Sequence, residues 1–276
     1  MNLQASSLSL RIISAAIALL VLFLVNYFFQ ADGVIAFGLL WCIGGAVEFS
    51  QIAFSPLSVS PYLRHWFLLV CILLMGLTLY SSGIAHTYWF VSVTIYLAGA
   101  IWFTRNSIEN PKLLAFLGIS SLGLIYCSTL PIFSLLLLRL NNGGIWFTFL
   151  CGVVFGGDIA AYFGGKLLGD SKLMPNISPN KTIVGAISGA IGSSIIGYII
   201  GHFWLTTVSS AGLILLSLGG ALLAQSGDLF KSLLKRVADR KDSGVIMPGH
   251  GGILDRLDGI YFAAPFVYWA AVALGH

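Results

Sequence analysis

Charge is what this sequence has least of. Asp, Glu, Lys and Arg make up only 9% of its 276 residues, against roughly 25% in an ordinary soluble domain. Hydrophobic residues account for 58% and the mean hydropathy is +0.94, which excludes a water-soluble globular chain. The apolar residues run on without the alternation of barrel strands, so the fold class is an all-α polytopic integral membrane protein. Cysteine is scarce as well. Cys42, Cys71, Cys127 and Cys151 each lie within an apolar stretch, with no close pair and no metal-type spacing, which speaks against a disulfide framework or a thiolate metal site and for packing. Internal repeats, low-complexity tracts and long linkers are absent, so residues 1–276 read as a single membrane-embedded domain. The net charge of +4 suits contact with anionic lipid or a nucleotide and gives no indication of nucleic-acid binding.

Hydropathy marks runs near 12–29, 34–53, 66–80, 87–103, 113–138, 144–163, 183–204, 210–230 and 259–275, an expectation of about nine transmembrane helices, some shorter than the ideal of about 20 residues. The first run could pass for the apolar core of a signal peptide. It is about as long as a bilayer span, however, and N-Y-F-F-Q-A-D-G follows without a small-x-small cleavage site, so a retained span is expected. Pro131 leaves the fifth run readable as one kinked helix or two short ones. Charge decides between them. With nine spans, every Lys and Arg except Arg139 falls on one side, and splitting the fifth run scrambles that asymmetry. The positive-inside rule therefore places the N-terminus in the cytoplasm. Charge also crowds into residues 158–258, which makes 1–150 a helical scaffold and 151–276 the catalytic helices and cytoplasmic loops.

Four constellations carry polar chemistry. At the end of the eighth run, Asp228, Lys231, Ser232 and Lys235 share one helical face. A carboxylate inside a membrane helix costs up to about 2.5–3.5 kcal/mol at its centre, so Asp228 is either functional or held in an interior ion pair with a neighbouring lysine. In P-G-H-G-G-I-L-D-R-L-D, Gly249, Gly251 and Gly252 permit positive φ. A glycine-rich turn opening a helix offers N–H groups to a phosphate. Asp255 and Asp258 lie three apart on that helix, which suits a divalent cation, Mg²⁺ best; helix capping accounts for one of them but not for both with Asp228 and the cation cluster. His250 between its glycines could serve as acid or base, or only order the turn. In G-D-I-A-A-Y-F-G-G-K-L-L-G-D, Asp158, Tyr162, Gly165 and Gly169 follow helical spacing beside Lys166, read either as tight helix packing or as a base or ribose contact. In I-S-P-N-K-T-I-V-G, Pro179 marks a turn, and Lys181 and Thr182 stand where a phosphate or an ordinary N-cap would be served.

Taken together these residues resemble the phosphatidate cytidylyltransferase (CDP-diacylglycerol synthase) family. Its signature runs Ser-x-x-Lys-Arg, four residues, Lys-Asp, a short spacer, His-Gly-Gly, two residues, then Asp-Arg-x-Asp. It is met by Ser232, Lys235, Arg236, Lys241, Asp242, His250, Gly251, Gly252, Asp255, Arg256 and Asp258. Ser226-Gly227-Asp228, Asp158 through Tyr162 with Gly169, Ser178-Pro179 and Lys181-Thr182 extend the resemblance over roughly residues 150–276. The resemblance implies that CTP and phosphatidate react to CDP-diacylglycerol and pyrophosphate, in a homodimer, and the charge asymmetry turns the site to the cytoplasmic face of the inner membrane. Mg²⁺ would be held by Asp228 and Asp255, with Asp258, and three carboxylates leave room for a second cation. Lys235, Arg236, Lys241 and Arg256 would neutralise phosphate charge, with Asp242 and His250 among the catalytic residues. Asp158, Tyr162, Lys166, Ser178, Lys181, Thr182, Ser232, Gly251 and Gly252 would bind substrate.

The rival readings are a CTP-dependent polyprenol kinase-like lipid enzyme and a membrane ion or solute transporter. A transporter would carry charges near the bilayer midplane and repeats between its halves. Neither feature is visible here.

Overall fold

The computed structural model describes residues 3–57, 59–80, 85–104, 109–240, 243–244 and 251–276. Helix α1 spans Leu3–Ala53 but is broken at Gln30, a non-glycine residue with φ 53° and ψ −145°. The break falls in the polar gap between the first two apolar runs. Helices α2 (Pro61–Tyr80), α3 (Ala85–Thr104) and α4 (Asn110–Leu124) follow, and α4 passes into a π-helical stretch, Ile125–Thr129, and then α5 (Ile132–Leu137). Pro131 cannot donate a backbone hydrogen bond. The helix widens by one residue before it, with Leu130 N bonded to Ile125 O at 3.0 Å, and then resumes. The fifth apolar run is thus one bulged helix and not two. Helices α6 (Gly143–Leu168), α7 (Ile183–Trp204), α8 (Ser210–Val237) and α9 (Leu254–Ala273) complete the helical set.

Each expected apolar run coincides with helix. Among the described residues, six helical segments are long and apolar enough to cross a membrane: Phe23–Ala53, Pro61–Tyr80, Asn110–Leu137, Gly143–Leu168, Ile183–Trp204 and Ser210–Val237. The all-α expectation needs one amendment. Strands β1 (Lys172–Met174) and β2 (Ser178–Thr182) form an antiparallel hairpin, with Lys172 opposite Thr182 and Met174 opposite Ser178. Pro179 therefore lies within a strand and not in a turn.

The chain gathers into two compact units, divided differently from the expected border near residue 150. One unit is Met1–Ile132 with Val237–Arg256, and the other is Phe133–Arg236 with Leu257–His276. The signature turn is thereby grouped with the N-terminal helices.

The first unit is packed around aromatic rings. Phe54 meets Phe67 and Phe116 edge to face, with centroids 5.1 and 5.0 Å apart, and Phe49 stacks on Phe67. Cys42, Cys71 and Cys127 are buried free thiols in this unit, as their apolar surroundings suggest.

The second unit is built on close approach of α6 and α7. Gly152, Gly156 and Gly157 leave room for Ile196, Ile200 and Ser193, and a Cβ at any of the three would collide with them. Ser193 Oγ donates to Val153 O at 2.7 Å across the contact. Trp146, Phe149, Val153, Ala263 and Val267 fill the core where α9 joins. Ile187, Ile191, Ile195 and Ile199 stay exposed on the outer face of α7, the apolar stripe a lipid-facing helix presents.

Candidate active site

The polar side chains of the second unit converge on a cavity of about 520 Å³ lined by Asp158, Tyr162, Lys166, Lys181, Gln225 and Asp228, with Gly165 and Thr182 in its wall. The elements explain the convergence. Asp158, Tyr162 and Lys166 stand at i, i+4 and i+8 along α6, so they share a stripe. Lys166 Nζ lies 5.6 Å from the centre of the Tyr162 ring. Thr182 ends β2 and caps α7: its hydroxyl accepts from Gly185 N at 3.1 Å. Gln225 Nε2 donates to Ala186 O at 3.0 Å and ties α8 to α7 in the cavity wall. The glycine stripe on α6 thus serves tight packing, while Asp158, Tyr162 and Lys166 on the same helix face the cavity.

From this cavity a chain of charge runs inward. Lys181 Nζ lies 2.6 Å from Asp228 Oδ2, and Lys231 Nζ lies 2.9 Å from Asp228 Oδ1 and 2.7 Å from Asp258 Oδ2. Lys231 and Asp258 are buried, at 8% and 7% exposure. A Cβ on Gly227 would strike the Asp258 carbonyl oxygen, so glycine there is what lets α8 and α9 close enough for the pair to form. Asp228 does sit in an ion pair with a neighbouring lysine, as the simpler reading allowed, but it is shared between two lysines and borders the cavity.

In the first unit, Gly251 adopts φ +79°, the left-handed conformation that the turn was expected to need. The N–H groups that follow are not open to a phosphate. Gly252 N donates to Asp255 Oδ2 at 3.2 Å, Ile253 N to Glu48 Oε1 at 2.9 Å and Leu254 N to Glu48 Oε2 at 3.0 Å. Asp255 Oδ2 also accepts from Ser243 N at 3.0 Å and Ser243 Oγ at 2.7 Å. The expectation of free donors fails because two carboxylates of the chain itself already occupy the start of α9.

Ser178 is half-buried in β2, and Ser232 and Lys235 are half-buried on α8. Arg236 is exposed and its Nε donates to Ile177 O at 3.2 Å, fastening the end of α8 to the hairpin. Arg256 is exposed in the first turn of α9. Lys241, Asp242 and His250 lie outside the described residues.

No three His, Cys, Asp or Glu side chains among the described residues come together in a group that could hold a metal ion. Asp255 commits Oδ2 to the turn. Asp228 and Asp258 bring carboxylate oxygens, the donor type a hard divalent cation takes, to one place, and there they flank the ammonium of Lys231. Sequence reasoning missed Glu48, Ser243 and Gln225. Only Gln225, one turn before Asp228 on the same helix, carried a signal that could have found it.

Residues 9–274 match the family described as the Cytidylyltransferase family. The chain belongs to that family. It is 42% identical over 132 residues to the phosphatidate cytidylyltransferase of Bacillus subtilis (strain 168), covering 48% of this chain and 49% of the relative. The enzyme of the same name from Brucella suis biovar 1 (strain 1330) is 45% identical over 120 residues, 44% of each chain. That from Helicobacter pylori (strain ATCC 700392 / 26695) is 45% identical over 122 residues, 44% of this chain and 45% of the relative. The chain thus spans about half the length of the curated relatives it matches.

Proposed function

We propose that this family member transfers CMP from CTP to phosphatidate, giving CDP-diacylglycerol and pyrophosphate for phospholipid biosynthesis. The observation that carries the reading is the cavity bordered by Lys166, Lys181 and Asp228, backed by the Lys231–Asp258 pair. It offers cations to a polyphosphate and oxygen donors to its counter-ion. A phosphate oxygen of phosphatidate attacks the α-phosphorus of CTP, the bond to the β-phosphate oxygen breaks, and pyrophosphate leaves. Phosphatidate's phosphomonoester loses its second proton near pH 6, by analogy with other phosphomonoesters, so the nucleophile needs no strong base. This leaves His250 with no obligatory proton transfer.

The difficulty is bringing two polyanions together. Lys166 and Lys181 neutralise phosphate charge in the cavity, and Lys235, Arg236, Lys241 and Arg256 add positive charge from the signature. Asp158 and Tyr162 offer hydrogen-bonding groups to the nucleoside. Asp228 and Asp258 would hold Mg²⁺, which when bound polarises the phosphates and stabilises the leaving pyrophosphate. Asp255 is assigned chiefly to the turn, through Oδ2. The grouping of all basic residues but Arg139 on one side supports nine spans, a cytoplasmic N-terminus and a site facing the cytoplasm. The homodimer implied by the family resemblance completes the proposal.

The test is product identification by mass spectrometry after incubating the purified protein with CTP and phosphatidate. CDP-diacylglycerol with one pyrophosphate per turnover is expected. CDP as the nucleotide product, or no reaction with phosphatidate, would overturn the reading.

A further inference from the structure

Glu48 lies near the end of α1 and is 1% exposed. A carboxylate buried in an apolar helix is costly unless it is matched, and this one is matched in an unusual direction. Its two oxygens accept from Ile253 N and Leu254 N, and Oε2 lies 3.2 Å from Ser243 Oγ. These backbone donors stand at the start of α9, where an intrahelical partner is missing and where the helix dipole favours negative charge.

The turn is shaped to receive this side chain. A Cβ on Gly244 or on Gly252 would collide with the Glu48 carboxylate, so both glycines stand where the backbone passes against it. A helix start is ordinarily capped by a local side chain, and Asp255 in the first turn already reaches back to Gly252 N, as the acidic arm of a capping box does. A second carboxylate, reaching in from a helix some 205 residues away in the chain, exceeds what capping alone requires. Its donors immediately precede Asp255 and Arg256 of the signature.

We propose that Glu48 is a positioning residue for CMP transfer: it clamps the entry of α9, with Asp255 in the same turn, and so fixes how Arg256 is presented. This rests on the function proposed above. Glu48 touches no substrate in this role; it acts through the backbone of Ile253 and Leu254.

The test compares full-length wild type with E48Q, E48D and G244A in lipid nanodiscs. Gln keeps the volume but accepts at one oxygen only, setting an NH₂ group against a backbone N–H. In E48Q, amide exchange at Ile253 and Leu254 should quicken by about tenfold or more. Misplacement of the signature turn should lower kcat by about 10- to 100-fold, with KM for CTP held within about threefold. E48D, which retains both oxygens on a shorter stem, should recover part of both losses. G244A displaces the same carboxylate while keeping Glu48, and should reproduce both effects even if E48Q fails to fold. Wild-type exchange rates in E48Q and G244A would overturn the proposal. So would faster exchange with kcat within about twofold of wild type, or a loss confined to KM. A wild-type protein that forms no CDP-diacylglycerol would overturn the functional reading and not the clamp, which the exchange rates then decide alone.

Discussion

Lys231 stands between two carboxylates, with Nζ 2.9 Å from Asp228 Oδ1 and 2.7 Å from Asp258 Oδ2. The ammonium is what allows two acidic side chains to approach each other in a mostly buried setting. Take it away and like charges face each other with water largely excluded.

Lys231→Met should therefore destabilise the protein strongly. Removing one partner of a buried ion pair typically costs about 3–5 kcal/mol because the remaining charge is left uncompensated. The unfolding midpoint of the solubilised protein is the measurement. The double variant Lys231→Met with Asp258→Asn should recover much of the loss, since it removes an orphaned charge along with its partner.

Gly227→Ala tests the helix approach that makes this pair possible. The added methyl would meet the carbonyl of Asp258, and backbone cannot rotate aside as a flexible side chain can. Overpacking of this kind costs about 1–3 kcal/mol. The expected result is a lower unfolding midpoint together with reduced turnover, and Gly227→Val should be worse in both.

Thr182 is expected to be a structural cap first. Thr182→Ala removes the acceptor for Gly185 N and should lower stability by about 1 kcal/mol. Thr182→Ser, which keeps the hydroxyl, should restore most of it. Stability curves for the two variants, measured beside KM for CTP, separate capping from any contact with substrate.

Metal dependence follows from the oxygen donors of Asp228 and Asp258. Chelation of divalent cations should abolish turnover, and Mg²⁺ should restore it. Asp228→Asn keeps the shape but halves the acceptor character of the group, so the Mg²⁺ concentration for half-maximal activity should rise by at least about tenfold. An unchanged Mg²⁺ titration in that variant would remove Asp228 from the metal's ligands.

The helices were legible because an apolar run of bilayer length has few other ways to satisfy its backbone. Even the ambiguous fifth run had its difficulty marked by Pro131, and only the answer, a π-helical widening at Ile125–Thr129, needed coordinates. The hairpin was not legible. Ser178–Thr182 reads S-P-N-K-T, with no alternation and few β-formers, so its pairing is set by backbone bonds and by what flanks it. In the site, Asp228 and Asp258 announced themselves as charges in an oily chain, but spacing alone could not show that both meet Lys231. Glu48 was invisible for a different reason. A single acid in an apolar run carries no local motif, and the groups it serves lie some 205 residues further on.

That separation has a consequence for how the protein is made. Glu48 enters the membrane with the first helices, but Ile253 and Leu254 do not yet exist. At about 5–20 residues per second of synthesis, the carboxylate waits roughly 10–40 s for its donors. During that interval Glu48 lacks the backbone donors it has in the folded protein. The seat of Glu48 is settled only when the start of α9 arrives, so the end of α1 is locked in place by a segment synthesised some 205 residues later.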